Sequence, residues 1–126
     1  LEFAEVYGNW YGVPKSQVED AIDQGKDVVI KTDVQGAVTI KRLIPEALLI
    51  FVAPPSMTEL ESRLRKRLTE SEKSLEVRLE TARQEMSRLP EFDYVVTNDI
   101  LEGAIRQINS IVTAEKCRVL GRTARP

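Results

Sequence analysis

Arg63, Arg67 and Arg78 stand on either side of a polar segment, LTESE, that predicts a break between two helices. Arg63 and Arg67 are four residues apart, so they share one helical face. Guanidinium groups hold phosphate oxygens through paired, charge-assisted hydrogen bonds. These arginines therefore suit an anion clamp across a movable break. The alternative is that they are solvated surface residues, and the rest of the chain has to decide between the two.

The residue inventory limits the chemistry that the chain can perform. The chain has no histidine and a single cysteine, Cys117. Ser-His-Asp triads, Cys-His pairs, internal disulfides and cysteine-cluster metal sites are therefore excluded. What remains is carboxylates, arginines, lysines and a hard divalent cation held by oxygen atoms. This is the inventory of phosphoryl transfer, which depends on positioning and charge neutralisation.

The charge balance argues against several classes of partner. The 126 residues include 18 basic and 20 acidic side chains, a net charge of −2. A nucleic-acid-binding protein would carry a basic surface, so we expect no nucleic-acid partner. We also expect no membrane partner, because no apolar run approaches the roughly 20 residues that cross a bilayer. Cys117 fits a reducing compartment as an inert helical residue.

Short apolar runs predict a buried parallel sheet. The runs are rich in β-branched or aromatic residues and bounded by Gly, Pro, Asp or Asn. Their apolarity is nearly continuous rather than alternating, which favours a sheet covered on both faces. The predicted strands are DVVIKT (27–32), ALLIFVA (47–53) and DYVVT (93–97).

Helical patterns alternate with these runs and predict a three-layer α/β fold with right-handed crossovers. One helix should start with Pro14 in its first turn and end at Gly25. Ser56 and Glu59 have capping-box spacing, and Thr69 and Glu72 repeat it, so we expect helix starts at both places. The predicted helices are 14–24, 36–43, 56–68, one from Thr69 with the stripe Leu75, Leu79, Ala82, Met86 and Leu89, and one with the stripe Leu101, Ala104, Ile105, Ile108, Ile111 and Val112.

Polar residues follow two of the predicted strands. Asp33 comes directly after the first, and Asn98 and Asp99 follow the last. Ligands bind beyond the carboxyl ends of parallel strands, so Asp33 is placed to orient a nucleotide or a magnesium-bound water. Gly36 allows close backbone approach. Asp33 also suits an N-cap, and Asn98 a loop cap, and both readings stay open.

The first twelve residues, LEFAEVYGNWYG, combine carboxylates with aromatic rings. A carboxylate beside aromatic rings can accept hydrogen bonds from the N1 and amine edge of guanine. A tyrosine hydroxyl can meet a phosphate. The alternative for this segment is half-buried packing.

Five segments in register resemble guanylate kinase over about residues 1 to 115. The resemblance implies the parallel-sheet fold of P-loop nucleoside monophosphate kinases, N-terminally truncated to about the C-terminal two-thirds. GNWYGVPK and INSIVTAEK are most similar to the plant organellar branch, which implies a plastid or mitochondrion, with the cytoplasm as the alternative. The segments are LEFAEVYGNWYG, DVQGA, FVAPPSMTELESRLRKRLTESE, RLETARQE and DYVVTND.

The resemblance implies MgATP-dependent phosphoryl transfer to GMP, giving GDP and ADP, with ATP and Mg²⁺ as cofactors. It implies no oligomeric state. It assigns GMP binding to Glu2, Tyr11, Asp33, Gln35 and Gly36. Asp33 would act on the metal indirectly, through water. Catalysis falls to Arg63, Arg67 and Arg78, and ATP binding to Arg63, Arg67 and Asn98.

The resemblance also divides the chain into segments. They are 1–13, the end of the GMP-binding region; 14–55, a core β/α segment; 56–85, the lid and its flanking helices; 86–118, the C-terminal core strand and helix; and 119–126, a disordered tail.

Several positions depart from the family pattern. Val13 stands where the family has a Ser or Thr that reads guanine, which removes one hydrogen bond. Lys31 occupies a position that is often acidic, and Leu68 replaces a glycine of the lid turn. No G-x-x-x-x-G-K-S/T motif occurs, and GKD at 25–27 lacks both the upstream glycine and the hydroxyl.

We expect the phosphate loop to precede Leu1, and we expect these 126 residues alone to have no kinase activity. The alternative function is a non-catalytic guanylate-kinase-like module that binds proteins. Such modules tend to lose the acid and the arginines that this chain keeps.

Overall fold

The structure, a computed structural model, describes residues 5–6, 9–10, 13–67 and 71–119. It divides into a first unit, Leu1–Leu49, and a second unit, Ile50–Pro126. The first unit holds short antiparallel strands and two helices. The second unit holds a parallel pair of strands and three α-helices. Among the described residues, no helix combines the length and apolarity needed to cross a membrane.

Three two-residue strands open the first unit. β1 (Glu5–Val6) pairs antiparallel with β2 (Asn9–Trp10), and β2 pairs antiparallel with β3 (Val13–Pro14). The sequence did not predict them, because two residues are too few to show an alternating pattern. The expectation for Pro14 was wrong. Pro14 lies in β3, opposite Asn9, and the first helix begins one residue later.

The first unit has two helices with identifiable ends. α1 spans Lys15–Asp23 and α2 spans Val34–Leu43. After α1, Gly25 has a φ of 79°, a left-handed conformation that glycine adopts without a Cβ clash. Its N–H donates to the Ile22 carbonyl at 2.9 Å, and the Lys26 N–H donates to the Ala21 carbonyl at 3.0 Å. This pair of bonds is a Schellman motif, and it confirms the predicted stop at Gly25.

The predicted strand at 27–32 is not a strand in the structure. Val28 and Ile30 pack against the core formed by Val18 and Ile40, whereas Val29 is 89% exposed. Side chains therefore alternate as they would in an extended segment. A strand also needs a neighbouring backbone for its ladder, and no described residue pairs with this segment in a sheet. The apolar run predicted the extended path but not the missing ladder.

The second unit is built on a parallel pair, β4 (Ile50–Ala53) and β5 (Tyr94–Thr97). The register pairs Ile50 with Tyr94 and Ala53 with Thr97. This confirms the parallel arrangement predicted for these two runs. The remaining elements are α3 (Met57–Arg67), α4 (Glu72–Met86), a 3₁₀ turn (Leu89–Glu91) and α5 (Leu101–Lys116).

Both faces of the parallel pair carry buried side chains, Phe51 on one and Val96 on the other. Val96 is 1% exposed and Phe51 is 8% exposed. The Phe51 ring meets the Phe92 ring edge to face, with centroids 5.1 Å apart. The register places Val95 on the same face as Phe51 and Val52 on the same face as Val96, and Val95 and Val52 are each about half exposed. Each face therefore holds both buried and half-exposed side chains, so the expected covering of both faces is met in part within the described part of the chain.

The helices of the second unit match their predicted stripes only in part. Leu75 and Leu79 of α4 are buried, as predicted. In α5, Ala104 is buried, but Leu101 and Ile105 are exposed. The start of α4 also differs from the prediction. Ser71 is its N-cap and accepts from the Ser74 N–H at 3.3 Å, while Thr69 lies outside the described residues.

A side-chain contact ties the two ends of the β5–α5 segment together. The Tyr94 hydroxyl, at the start of β5, donates to a carboxylate oxygen of Glu115, near the end of α5. The contact raises the pKa of Tyr94 above its ordinary value, because the phenol must stay protonated to donate. The helix is thus held along the strand that it follows.

Replacing Val96 with Ala should destabilise the second unit by about 2 kcal/mol, because two buried methyl groups leave a cavity. Val95→Ala is a matched control on the adjacent residue of the same strand. Val95 is 50% exposed, so its loss should cost about 0.5 kcal/mol or less. Urea denaturation followed by circular dichroism measures both. Equal costs for the two variants would contradict the assignment of Val96 to the core.

Candidate functional site

The carboxylate of Asp33 caps the N-terminus of α2. Asp33 has φ −79° and ψ 175°, and its Oδ1 accepts from the Gly36 N–H at 2.7 Å. An aspartate here satisfies an otherwise unpaired amide and complements the positive end of the helix dipole. The N-cap reading of Asp33 is therefore confirmed. A capped, exposed carboxylate keeps free lone pairs, so a second role toward a ligand stays compatible with this geometry.

Gln35 and Gly36 occupy the first turn of α2 next to this carboxylate. Gly36 is buried, and Gln35 is exposed with its Nε2 donating to the Thr39 hydroxyl at 3.3 Å. The predicted GMP-binding residues Asp33, Gln35 and Gly36 thus lie together at one helix end. The N-terminus of a helix favours anions, because its free N–H groups and dipole point outward.

Arg63 makes contacts that the sequence did not reveal. Its Nη1 donates to the Asn98 carbonyl at 2.8 Å, and its Nη2 lies 3.5 Å from the Asp99 carbonyl. Its Nε donates to Glu59 Oε1 at 3.2 Å, one helical turn earlier. The guanidinium of Arg63 is therefore directed at the turn after β5.

Both backbone polar groups of Asn98, the N–H and the carbonyl, are hydrogen-bonded. Its N–H donates to the Ala53 carbonyl at 2.7 Å, which extends the β4–β5 pairing by one bond. Its carbonyl accepts from Arg63. The structure thus brings Arg63 and Asn98 together, two of the residues predicted to bind ATP.

Arg67 and Arg78 lie on the helices that flank the break. Arg67 is the last residue of α3 and is exposed. Within the described part of the chain it makes no hydrogen bond or ion pair of its own. Arg78 is exposed on α4. Both residues are therefore on the exposed side of their helices.

Arg65 links the two helices across the break. Its Nη1 donates to Glu72 Oε1 at 2.6 Å, and its Nη2 and Nε donate to Glu61 Oε2 at 2.9 and 3.1 Å. The paired carboxylates raise the pKa of Arg65, and Arg65 lowers the pKa of Glu72, in each case mainly through the hydrogen bond between them. We call Glu61, Arg65 and Glu72 the lid clip.

Sequence reasoning missed the lid clip because Arg65 lies beside the arginines that the family pattern selects. One signal was present. Glu61 precedes Arg65 by four residues, the spacing of a favourable pair on a helix. The contact to Glu72 crosses the break and has no such local signature.

Several predicted residues lie outside the described part of the chain. They are Glu2 and Tyr11 for GMP, and Leu68 in the lid turn. Their assignments stay predictions. Among the described residues, no group of three or more carboxylate, histidine or cysteine side chains could hold a metal ion. The indirect, water-mediated role of Asp33 toward Mg²⁺, an ion that usually keeps several waters and takes its other ligands from phosphates, stays a prediction.

Comparison with known proteins decides the family. A model of the guanylate kinase family matches residues 1–115. The chain belongs to the guanylate kinase family. The curated guanylate kinase of Clostridium tetani is 48% identical over 119 residues, 94% of this chain and 57% of the relative. That of Desulfitobacterium hafniense is 49% identical and is covered to 60% of its length.

The solved structures confirm the predicted fold class. The crystal structure of guanylate kinase from Anaplasma phagocytophilum superposes with a TM-score of 0.73 at 34% identity. It covers 98% of this chain and 60% of that structure's chain. The chain therefore has the α/β fold of the P-loop nucleoside monophosphate kinases. It spans somewhat more than half the length of the guanylate kinases it matches.

Replacing Arg65 with Ala should loosen the start of α4, because the lid clip holds Glu72 against α3. We expect the hydrogen-exchange protection of the Leu75 amide, which donates to the Ser71 carbonyl, to fall about two- to fivefold. Arg83→Ala is the control, since Arg83 pairs with Glu80 inside α4. The Leu75 amide should not respond to it.

The lid clip should also depend on pH. Arg65 holds the pKa of Glu72 below its ordinary value. The stabilisation that the ionised Glu72 gives to the start of α4 is therefore fully present above the ordinary pKa of a glutamate. It is lost as the pH falls through the lowered pKa of Glu72. The difference in Leu75 protection between the wild-type chain and Arg65→Ala should therefore shrink in acid. A difference that is independent of pH would contradict the role of Glu72.

Proposed function

We propose that this chain forms part of an enzyme that transfers the γ-phosphoryl group of ATP to GMP. A GMP phosphate oxygen bonds to the γ-phosphorus while the bond to the bridging oxygen of ADP breaks. The products are GDP and ADP, and no net proton is taken up when the nucleotides are fully ionised. The proposal is supported by membership of the guanylate kinase family and by the residues that the described helices carry.

The observation that carries the proposal is the arrangement of arginines about the break between α3 and α4. Arg67 ends α3 and Arg78 projects from α4, and both are exposed. Charge on the transferred phosphoryl group spreads over its oxygens, and guanidinium donors stabilise that charge. With the lid clip setting the approach of the two helices, these arginines can close on the phosphates from both sides of the break.

The acceptor side of the reaction is assigned to the first unit, which includes the N-terminal segment. Asp33 at the start of α2 orients GMP, with Gln35 and Gly36 in the same turn. Glu2 reads the guanine edge, and Tyr11 donates to the GMP phosphate. A bound Mg²⁺ supplies charge neutralisation on the ATP phosphates. Asp33 would accept hydrogen bonds from waters bound to Mg²⁺ and would add a negative charge near the ion.

The proposed reaction is tested with two proteins. One is the 126-residue chain, and the other is this chain preceded by the N-terminal portion of the Clostridium tetani relative. Coupled detection of ADP and chromatography of GDP measure turnover. We expect turnover from the joined protein and none from the chain alone, since the chain has no phosphate-loop motif.

Three results would contradict this proposal. Turnover by the 126-residue chain alone would overturn the need for a phosphate loop. Weak or absent binding of GMP by the joined protein, together with no turnover, would favour a protein-binding module. Transfer to another nucleoside monophosphate in preference to GMP would overturn the substrate assignment.

Arg67→Ala in the joined protein should lower kcat about 100-fold or more, because the variant loses a donor that acts on the transition state. Arg83→Ala removes an exposed arginine of α4 that pairs with Glu80, and it should leave kcat unchanged. Steady-state rates at saturating ATP and GMP compare the two variants. A kcat for Arg67→Ala within about threefold of the wild type would remove Arg67 from the proposed clamp.

A further inference from the structure

Arg63 donates hydrogen bonds to the backbone of the turn that follows β5. Its Nε is bonded to Glu59, its Nη1 to the Asn98 carbonyl at 2.8 Å, and its Nη2 points at the Asp99 carbonyl. A guanidinium offers five donors in a rigid planar fork, so these three contacts fix its orientation. Arg63, which was expected to bind phosphate, therefore donates from its guanidinium to main-chain carbonyls.

Within the described ranges, few other contacts define the turn at Asn98 and Asp99. The N-cap of α5 is Ile100, which has no side-chain capping bond. An isoleucine cannot accept from the first amides of a helix, so the local sequence does not set the entry into α5. The Asn98 N–H is fixed by the Ala53 carbonyl, and the Asn98 carbonyl is fixed by Arg63. The peptide groups on both sides of the Asn98 Cα are thereby held.

We propose that Arg63 is a positioning residue for ATP. It holds the turn after β5 and with it Asn98, which the family resemblance assigns to ATP binding, and it does not itself touch the phosphates. This inference rests on the proposed kinase function, and it assigns different roles to the three arginines. Arg67 and Arg78 act on phosphate, whereas Arg63 acts through the backbone of residues 98 and 99.

The kinetic test uses the joined protein with Arg63→Ala and Arg63→Lys. Arg63→Ala should raise the KM for ATP about tenfold, as expected for loss of hydrogen bonds from a charged donor. The kcat and the KM for GMP should change less than about threefold, because no donor to the transferred group is lost. Arg63→Lys, which has one compact donor group, should recover part of the affinity for ATP.

A double-mutant cycle with Asn98→Ala separates positioning from direct contact. If Arg63 acts through Asn98, then Arg63→Ala should raise the KM for ATP less than about twofold in the Asn98→Ala background. Full multiplication of the two effects would overturn the proposal. So would a kcat for Arg63→Ala reduced about 100-fold at an unchanged KM for ATP, which is the signature of a transition-state contact.

A structural readout keeps the inference distinct from the proposed activity. In the 126-residue chain, Arg63→Ala should shift the amide NMR signals of Asp99 and Ile100, whereas the control Arg83→Ala should leave them in place. Unchanged signals in Arg63→Ala would overturn the positioning role whether or not the enzyme turns over. Conversely, a joined wild-type protein that makes no GDP would overturn the proposed function, while shifted signals would still establish the hold on the turn.

Discussion

The pairing of β4 with β5 is the interaction on which the second unit depends. The ladder sets Phe51 on one face and Val96 on the other, and both side chains are buried. It also continues past the last paired residues, since the Asn98 N–H reaches the Ala53 carbonyl at 2.7 Å. The same hydrogen-bond pattern that stabilises the sheet therefore places the first residue of the proposed nucleotide turn. Arg63 then needs to fix only the outer side of that turn.

The parts of the fold that the sequence predicted are those governed by local pattern. The apolar runs around Phe51 and Val96 predicted two parallel strands, and Gly25 predicted a helix stop, because buried strands and left-handed turns have short signatures. The run at 27–32 was misread as a strand. Its alternating burial is that of an extended segment, but a ladder depends on a partner that no pattern within the run specifies.

The sequence could predict which residues belong to the candidate site, but it predicted few of the contacts that those residues make. Resemblance to the family selected Asp33, Arg63 and Asn98 by their neighbours along the chain. It could not show that one carboxylate oxygen of Asp33 accepts a hydrogen bond from the Gly36 N–H. Nor could it show that Arg63 donates to main-chain carbonyls 35 and 36 residues away. The lid clip was missed for the same reason, since its contact to Glu72 spans the break. Long-range contacts of this kind are fixed by how the helices pack, not by residue spacing.

The acceptors of Arg63 have a consequence for how this turn can vary. They are main-chain carbonyl oxygens, which every amino acid supplies at the same place. The side chains at 98 and 99 can therefore be exchanged without removing the acceptors, and only position 63 is constrained to a forked donor. Such a contact produces no covariation between paired positions. A method that infers contacts from correlated substitutions would pass over it, even though it joins α3 to the turn before α5.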